Sequence, residues 1–310
     1  MLANMSSRRP TRRDALQYLL GSMALPVLAA CQAAPAPAPT ATNSLVKPRA
    51  SPGADLTPVL ASSEVALGRN RFALGLIDAR NQPITGGKVH LEFFKVSPQS
   101  GTAQKRSEAD AVFRAVELLN KGIWVSYVSF DELGQWGAQV TIDGQREPAR
   151  TARLPFEVRE KFSAPGYGEP APRSASSTLR DVGGDASRIC SNSPPCELHG
   201  LSISEALAPA GKPLVVLFAT PALCASAICA PELEAVLKLR SSGYAERANF
   251  IHVEIYEYPF ENQKPAKAVQ EWRLPSEPWV FVVDRAGNVR DRFEGAAPVE
   301  ELEPALKPLV

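Results

Sequence analysis

Hydrophobic and polar residues alternate with two different periods along this chain. Between about Leu60 and Glu160 the period is two: Phe72, Leu74 and Leu76 alternate with Ala73, Gly75 and Ile77, and Val89, Leu91 and Phe93 alternate with His90, Glu92 and Phe94. The runs Ile123–Phe130, Gln139–Ile142 and Leu154–Val158 continue the texture. Asn81-Gln82-Pro83, Gly86-Gly87, Asn120-Lys121-Gly122 and Asp143-Gly144 are turn signals between them. Short β-branched and aromatic runs at this spacing predict an all-β antiparallel sandwich of about seven strands over residues 59–160. Trp124 and Trp136 fit its core, and His90 fits a packed or surface side chain.

Beyond residue 197 the pattern changes. Leu214–Thr220 is a continuous apolar run, the mark of a strand covered on both faces. An amphipathic helix follows, with Leu233, Val236 and Leu237 on one face and Glu232, Glu234 and Lys238 off it. Asn249–Ile255 reads as a strand and Pro265–Trp272 as a helix. Trp279–Asp284 and Asn288–Glu294 read as a hairpin, and Val299–Leu306 as a last helix. Residues 31–58 and 161–197 show no hydrophobic period and are rich in Pro, Ala, Ser and Thr, which predicts a stalk and a linker.

Composition narrows the classes of function. The 310 residues are 45% hydrophobic and 22% charged, and 34 basic against 33 acidic side chains leave +1, so no global field draws the chain to nucleic acid. Residues 1–30 carry Arg8-Arg9 and Arg12-Arg13 ahead of the modestly apolar run Ala15–Ala30, the layout of an export signal that is removed from the mature protein. Thr11-Arg12-Arg13-Asp14-Ala15-Leu16 resembles the twin-arginine export signal, and Leu28-Ala29-Ala30-Cys31 resembles the lipobox of bacterial lipoproteins. That resemblance implies lipidation of Cys31 and a position on the extracytoplasmic face of the cell membrane. Losing four arginines and Asp14 with the signal takes the formal charge from +1 to −2. Such a compartment permits disulfides.

Arg71-Phe72 through Asp78, with Gly134-Gln135-Trp136-Gly137, resembles the immunoglobulin-like extracytoplasmic modules found beside redox and copper-handling proteins. Residues 198–310 resemble the thioredoxin-like superfamily in three pieces: cysteines between the first core strand and its helix, Glu277-Pro278-Trp279 where the family places a cis-proline, and Asp284-Arg285-Ala286-Gly287-Asn288 as the following hairpin. Together the two resemblances imply two domains, an antiparallel sandwich followed by an α/β thioredoxin-like fold. They also imply dithiol–disulfide exchange at Cys224 and Cys229, with Glu277, Pro278 and Trp279 forming a groove for an extended partner. The expected partners are exported proteins or a membrane redox protein, with no cofactor and no metal.

This chain departs from the family in placing four residues between its cysteines where thioredoxins have two. Cys224 takes the attacking position with Cys229 resolving, or Cys229 overlays the helix-end thiol and leaves Glu232 in place of the second cysteine. A thiolate attacks, so its pKa must fall from about 8.5, and a helix N-terminus supplies the field for that. The four cysteines beyond Cys31 allow three pairings, of which the local one adds a second disulfide, Cys190–Cys196, to Cys224–Cys229. His199 reads as surface, His252 as a buried strand residue, and Glu254, Glu257 and Glu261 as a solvated acidic edge. Two rival functions stand beside exchange: a non-catalytic assembly scaffold with a permanent disulfide, and copper delivery through the cysteine pair and a late histidine.

Overall fold

A computed structural model describes residues 55–116, 121–144, 147–208 and 211–310. The export signal (1–30), Cys31 and all but the end of the stalk (31–58) lie outside the described residues.

The alternating region forms seven strands: β1 (Thr57–Leu60), β2 (Gly68–Ile77), β3 (Lys88–Val96), β4 (Ala103–Val116), β5 (Lys121–Phe130), β6 (Gly134–Gly144) and β7 (Glu147–Val158). They join in the order β1-β2-β5-β4-β3-β6-β7. Every pairing in this sheet is antiparallel. The period of two does what it predicts, since alternate residues on a strand point to opposite faces. Phe72, Leu74, Leu76, Val89, Leu91 and Phe93 all turn inward. Phe72, Phe93, Phe130, Phe156 and Trp136 stack edge-on or tilted around one another at 5.0–6.4 Å between ring centres. Trp124 and Trp136 are buried and satisfied, their indole N–H groups donating to Ile84 O at 2.8 Å and Glu132 O at 2.9 Å.

The region 198–310 builds a second sheet from β8 (Leu214–Ala219), β9 (Asn249–Glu254), β10 (Trp279–Val283) and β11 (Val289–Glu294). Its order is β11-β10-β8-β9, with only β8 and β9 parallel. Every residue of β8 and β10 is buried, as the unbroken apolar runs require. The helices are α1 (Ile203–Ala206), α2 (Cys229–Leu239), α3 (Lys267–Glu271) and α4 (Val299–Leu306). Leu233, Val236 and Leu239 of α2 and Leu302 and Leu306 of α4 cover one face. Trp272, Ala268 and Val269 cover the other, together with Ala164 and Ala171.

This is not the expected sandwich followed by an α/β thioredoxin-like domain. The seven strands form one sheet rather than two stacked ones, because the 14-residue β4 pairs with β3 through its first part and with β5 through its last. That sheet nearly closes on itself, and the described residues are mostly β, 39% strand against 17% helix. Two of the four helices are about one turn long, so periodic stretches that read as helical layers contribute short segments instead. Nor do the described residues divide into two bodies, for all of them fall in one compact unit.

A buried polar seam explains that unity. Arg71 of β2 forks onto Glu301 of α4, Nε to Oε1 at 2.8 Å and one terminal nitrogen to Oε2 at 2.9 Å, and its other nitrogen donates to Glu294 O at 2.7 Å. Tyr127 of β5 donates to the same carboxylate at 2.6 Å. Arg292 of β11 pairs with the buried Glu64 and donates to Ala164 O and Pro165 O. Residues 161–197, expected as a linker, are therefore packed. Gly168 N–H donates to Val289 O at 2.7 Å and Ala171 N–H to Gly287 O at 2.9 Å, while Ser174, Ser176 and Thr178 are buried.

Glu232 of α2 sits in the same interior, taking the Ala297 N–H at 2.8 Å while its Oε1 finds no partner. Burial pushes its pKa up to about 8 against the Ala297 hydrogen bond and the Arg71 charge. A raised folded-state pKa means that its contribution to stability is full below the unfolded value of 4.5 and is lost as pH rises to about 8. Glu232→Gln therefore flattens that part of the stability profile, raising the unfolding free energy at pH 8 by up to a few kcal/mol. Urea unfolding at pH 5 and pH 8 checks this; an equal effect at both values would refute it.

Candidate functional site

The covered strand β8 ends at Ala219 because Thr220 and Pro221 turn the chain out of the sheet. The loop then carries Cys224 back toward the start of α2, with Leu223 N–H donating to Thr220 O and Ala227 N–H to Cys224 O, both at 3.1 Å. Ala227 completes the return in the left-handed region, at φ 59°. A residue with a Cβ takes up that conformation at a cost of roughly 1–2 kcal/mol. Cys224 Sγ consequently faces the N-terminus of α2. It accepts the Cys229 N–H at 3.3 Å and lies 3.2 Å from Ser226 Oγ.

The two thiols of this pair differ sharply. Cys224 is half-buried, and a hydrogen bond from the Cys229 thiol, outweighing partial burial and joined by Ser226 and the helix-start N–H groups, brings it down to about 5. Cys229 is fully buried, and its hydrogen bond to Cys224 together with burial drives its pKa up. The environment thus stabilises one thiolate and keeps the other sulfur protonated behind it.

Of the expected groove, only part is present. The Glu277–Pro278 peptide is cis and leads directly into β10. The Glu277 carboxyl is pushed up by burial and then by the Cys224 charge, which places it in the field of the sulfur pair. Pro278 is buried and its carbonyl already accepts the Gly295 N–H at 2.9 Å. Trp279 is no groove floor: it is buried, lies nearly parallel to Phe281 at 5.5 Å, and donates its indole N–H to Ser276 Oγ at 3.0 Å.

A second sulfur cluster lies where β9 meets the packed segment before α1. Cys190 and Cys196, expected as a disulfide, are thiols here, with sulfurs 3.8 Å apart. His199 Nε2 lies 3.3 Å from Cys196 Sγ, and His252 Nδ1 lies 3.4 Å from Cys196 Sγ and 3.7 Å from Cys190 Sγ. His199, read as surface, is buried, because Leu179 N–H donates to its carbonyl and Leu198 O accepts the His252 N–H, binding this turn to β9. Glu254, read as part of a solvated edge, is buried too, and accepts the Ser191 N–H at 2.8 Å. Glu257 does remain at the surface, paired with Lys264.

His252 bears on copper delivery. Its Nε2 is 3.1 Å from Ala219 O and its Nδ1 faces Cys190 and Cys196. Both ring nitrogens are committed away from Cys224 and Cys229, so the constellation of that pair with a late histidine is not assembled. Sequence reading missed the joining of His199 and His252. Cys196 and His252 are 56 positions apart, a separation without a motif.

No protein-family model matches the chain, and no curated protein matches it. Among solved structures it is weakly similar to a chain described as the thiol:disulfide interchange protein DsbE of Chlorobium tepidum, at 15% identity and a TM-score of 0.33, over 47% of this chain and 99% of that one. MtrC from Shewanella baltica OS185 matches at 12% identity and a TM-score of 0.27, over 36% of this chain and 23% of that one. A DUF4426 family protein from Pseudomonas aeruginosa PAO1 matches at 12% identity and a TM-score of 0.24, over 34% of this chain and 89% of that one.

Proposed function

We propose that this protein exchanges disulfides with partner proteins, Cys224 attacking and Cys229 resolving. The observation that carries the reading is the contrast between the half-buried Cys224, at about 5 beside the first N–H groups of α2, and the fully buried Cys229 against it.

In the first step the Cys224 thiolate bonds to one sulfur of a partner disulfide, the partner's S–S bond breaks, and the other partner sulfur leaves as a thiolate and takes a proton from solvent. In the second, Cys229 gives up its proton and bonds to Cys224 Sγ, and the mixed disulfide breaks. The partner has then gained two electrons and this chain has lost them; the reverse sequence oxidises a partner dithiol. The Glu277 carboxyl, within the field of Cys224, is the group this reading assigns to receive the Cys229 proton. The same reading places the chain outside the cytoplasmic membrane, tethered through a lipid on Cys31 and acting on exported proteins or a membrane redox protein. The Arg12-Arg13 and Leu28–Cys31 patterns support that placement.

Alkylation of the fully reduced chain over pH 4–10 tests the proposal. The expected profile has a thiol ionising at about pH 5 that disappears in Cys224→Ser. A first reactive thiol titrating near the ordinary value of about 8.5 would instead mark an inert clip and support the scaffold reading. Glu277→Gln is expected to move the midpoint further down, because a nearby negative charge opposes ionisation of Cys224.

A further inference from the structure

The exchange reaction leaves the second sulfur cluster without a role. We propose that Cys190, Cys196, His199 and His252 bind one zinc ion in a closed Cys2His2 site that clasps the segment before α1 onto β9.

Four of the six donor–donor distances are those of a coordination tetrahedron. With Zn–S at about 2.3 Å and Zn–N at about 2.0–2.1 Å, tetrahedral angles give an S···S edge of about 3.8 Å and S···N edges of about 3.5 Å. The S···S edge is 3.8 Å, and three of the four S···N edges are 3.3, 3.4 and 3.7 Å. All four donor atoms lie within 4.8 Å of one another. A disulfide would require the sulfurs at about 2.05 Å.

The surroundings are those of a ligand set as well. His252 Nε2–H donates to Ala219 O at 3.1 Å, which turns the Nδ1 lone pair toward the sulfurs. Outer hydrogen bonds of that kind orient metal-binding imidazoles. Cys190 Sγ accepts the Cys196 N–H at 3.4 Å, and Glu254 holds Ser191, the residue after Cys190. Charge completes the case. Two thiolates, two neutral imidazoles and one Zn²⁺ sum to zero, as a site with Cys190 and both histidines 1–2% exposed demands. Binding ionises both thiols and releases their two protons to solvent, with no change of oxidation state. Hard cations prefer oxygen donors, whereas a tetrahedral set of two sulfurs and two nitrogens selects zinc. Both histidines border a cavity of about 260 Å³, which provides the path in.

Metal content of the full chain, reduced, loaded with Zn²⁺ and dialysed, decides the matter. The expected result is one zinc per chain, retained in Cys224→Ser/Cys229→Ser, so that failure here is separable from failure of the exchange reading. Cys190→Ser/Cys196→Ser and His199→Ala/His252→Ala, each left with two of the four ligands, should lose the ion on dialysis. His199→Cys, which keeps four donors, should retain the ion and guards against simple misfolding. Co²⁺ in place of Zn²⁺ should show thiolate charge-transfer absorption that vanishes in the Cys190/Cys196 double variant. The proposal is overturned by a loaded chain free of zinc, by zinc that survives loss of these four side chains, or by Cu⁺ binding there where Zn²⁺ and Co²⁺ do not. A Cys190–Cys196 disulfide that excludes metal in the chain purified without reductant would overturn it equally.

Discussion

Cys229→Ser is expected to accumulate a stable mixed disulfide between Cys224 and its partner, while Cys224→Ser loses exchange to background. At pH 7 a thiol at about 5 is about 99% ionised, against about 3% for an ordinary thiol at 8.5. That advantage is largely offset in attack, because nucleophilicity falls as pKa falls; the lasting gain is that a stabilised thiolate leaves readily and favours the reduced pair. The pair is therefore expected to be oxidising. Attacking thiols at about 3.5 and about 7 belong to dithiol pairs near −120 and −270 mV, and a thiol at about 5 predicts a potential between them. Non-reducing electrophoresis after reaction with glutathione disulfide, and equilibration against a glutathione buffer, measure both quantities. Equal adduct formation by wild type and Cys229→Ser, or a potential below −270 mV, would defeat the role assignment.

The other large effect is structural. Arg71→Ala should cost about 3–5 kcal/mol, because it strands the buried Glu301 carboxylate without its forked partner. The pair holds β2 to α4, and Arg71 also donates to Glu294 O, so several contacts across the two sheets go at once. Burial alone would raise the Glu301 pKa, but the Arg71 hydrogen bond and charge outweigh it and hold the carboxyl below its ordinary value of 4.5. For a lowered folded-state pKa the stabilisation is present above the unfolded value and disappears as pH falls through the folded one. The Arg71→Ala penalty should accordingly be full at pH 7 and shrink in acid below pH 4. Chemical denaturation at both values reads it; a penalty under 1 kcal/mol at neutral pH would show that the seam contributes little.

β2, β3 and β5 were legible because a period of two is a local property, whereas β1, at the end of the expected stalk, and the largely polar β4 gave no such signal. Phe72–Leu76 and Val89–Phe93 announce their inward faces without knowing their partners. The same holds for β8, whose apolar run signals cover on both faces, and for the Asp284–Asn288 turn, where Asp284 Oδ1 caps Ala286 N–H and Asn288 N–H. Sheet closure was not legible. It depends on β4 changing partners along its length, which no alternation pattern records. Composition misled at 161–197, since its backbone bonds to Val289, Gly287 and His199 are satisfied by residues remote in sequence.

By itself, then, the order of residues determined which side chains of β2 and β3 face inward, that β8 is covered on both faces, and that Cys224 and Cys229 flank the start of a helix, because each depends on neighbours within a few positions. Tertiary structure alone decided that Cys224 rather than Cys229 carries the stabilised charge, that the two sheets share one ionic interior through Arg71 and Glu301, and that His252 crosses to Cys190 and Cys196. Those outcomes turn on burial and on distances of a few ångströms between distant segments, quantities that exist only once the chain has closed on itself.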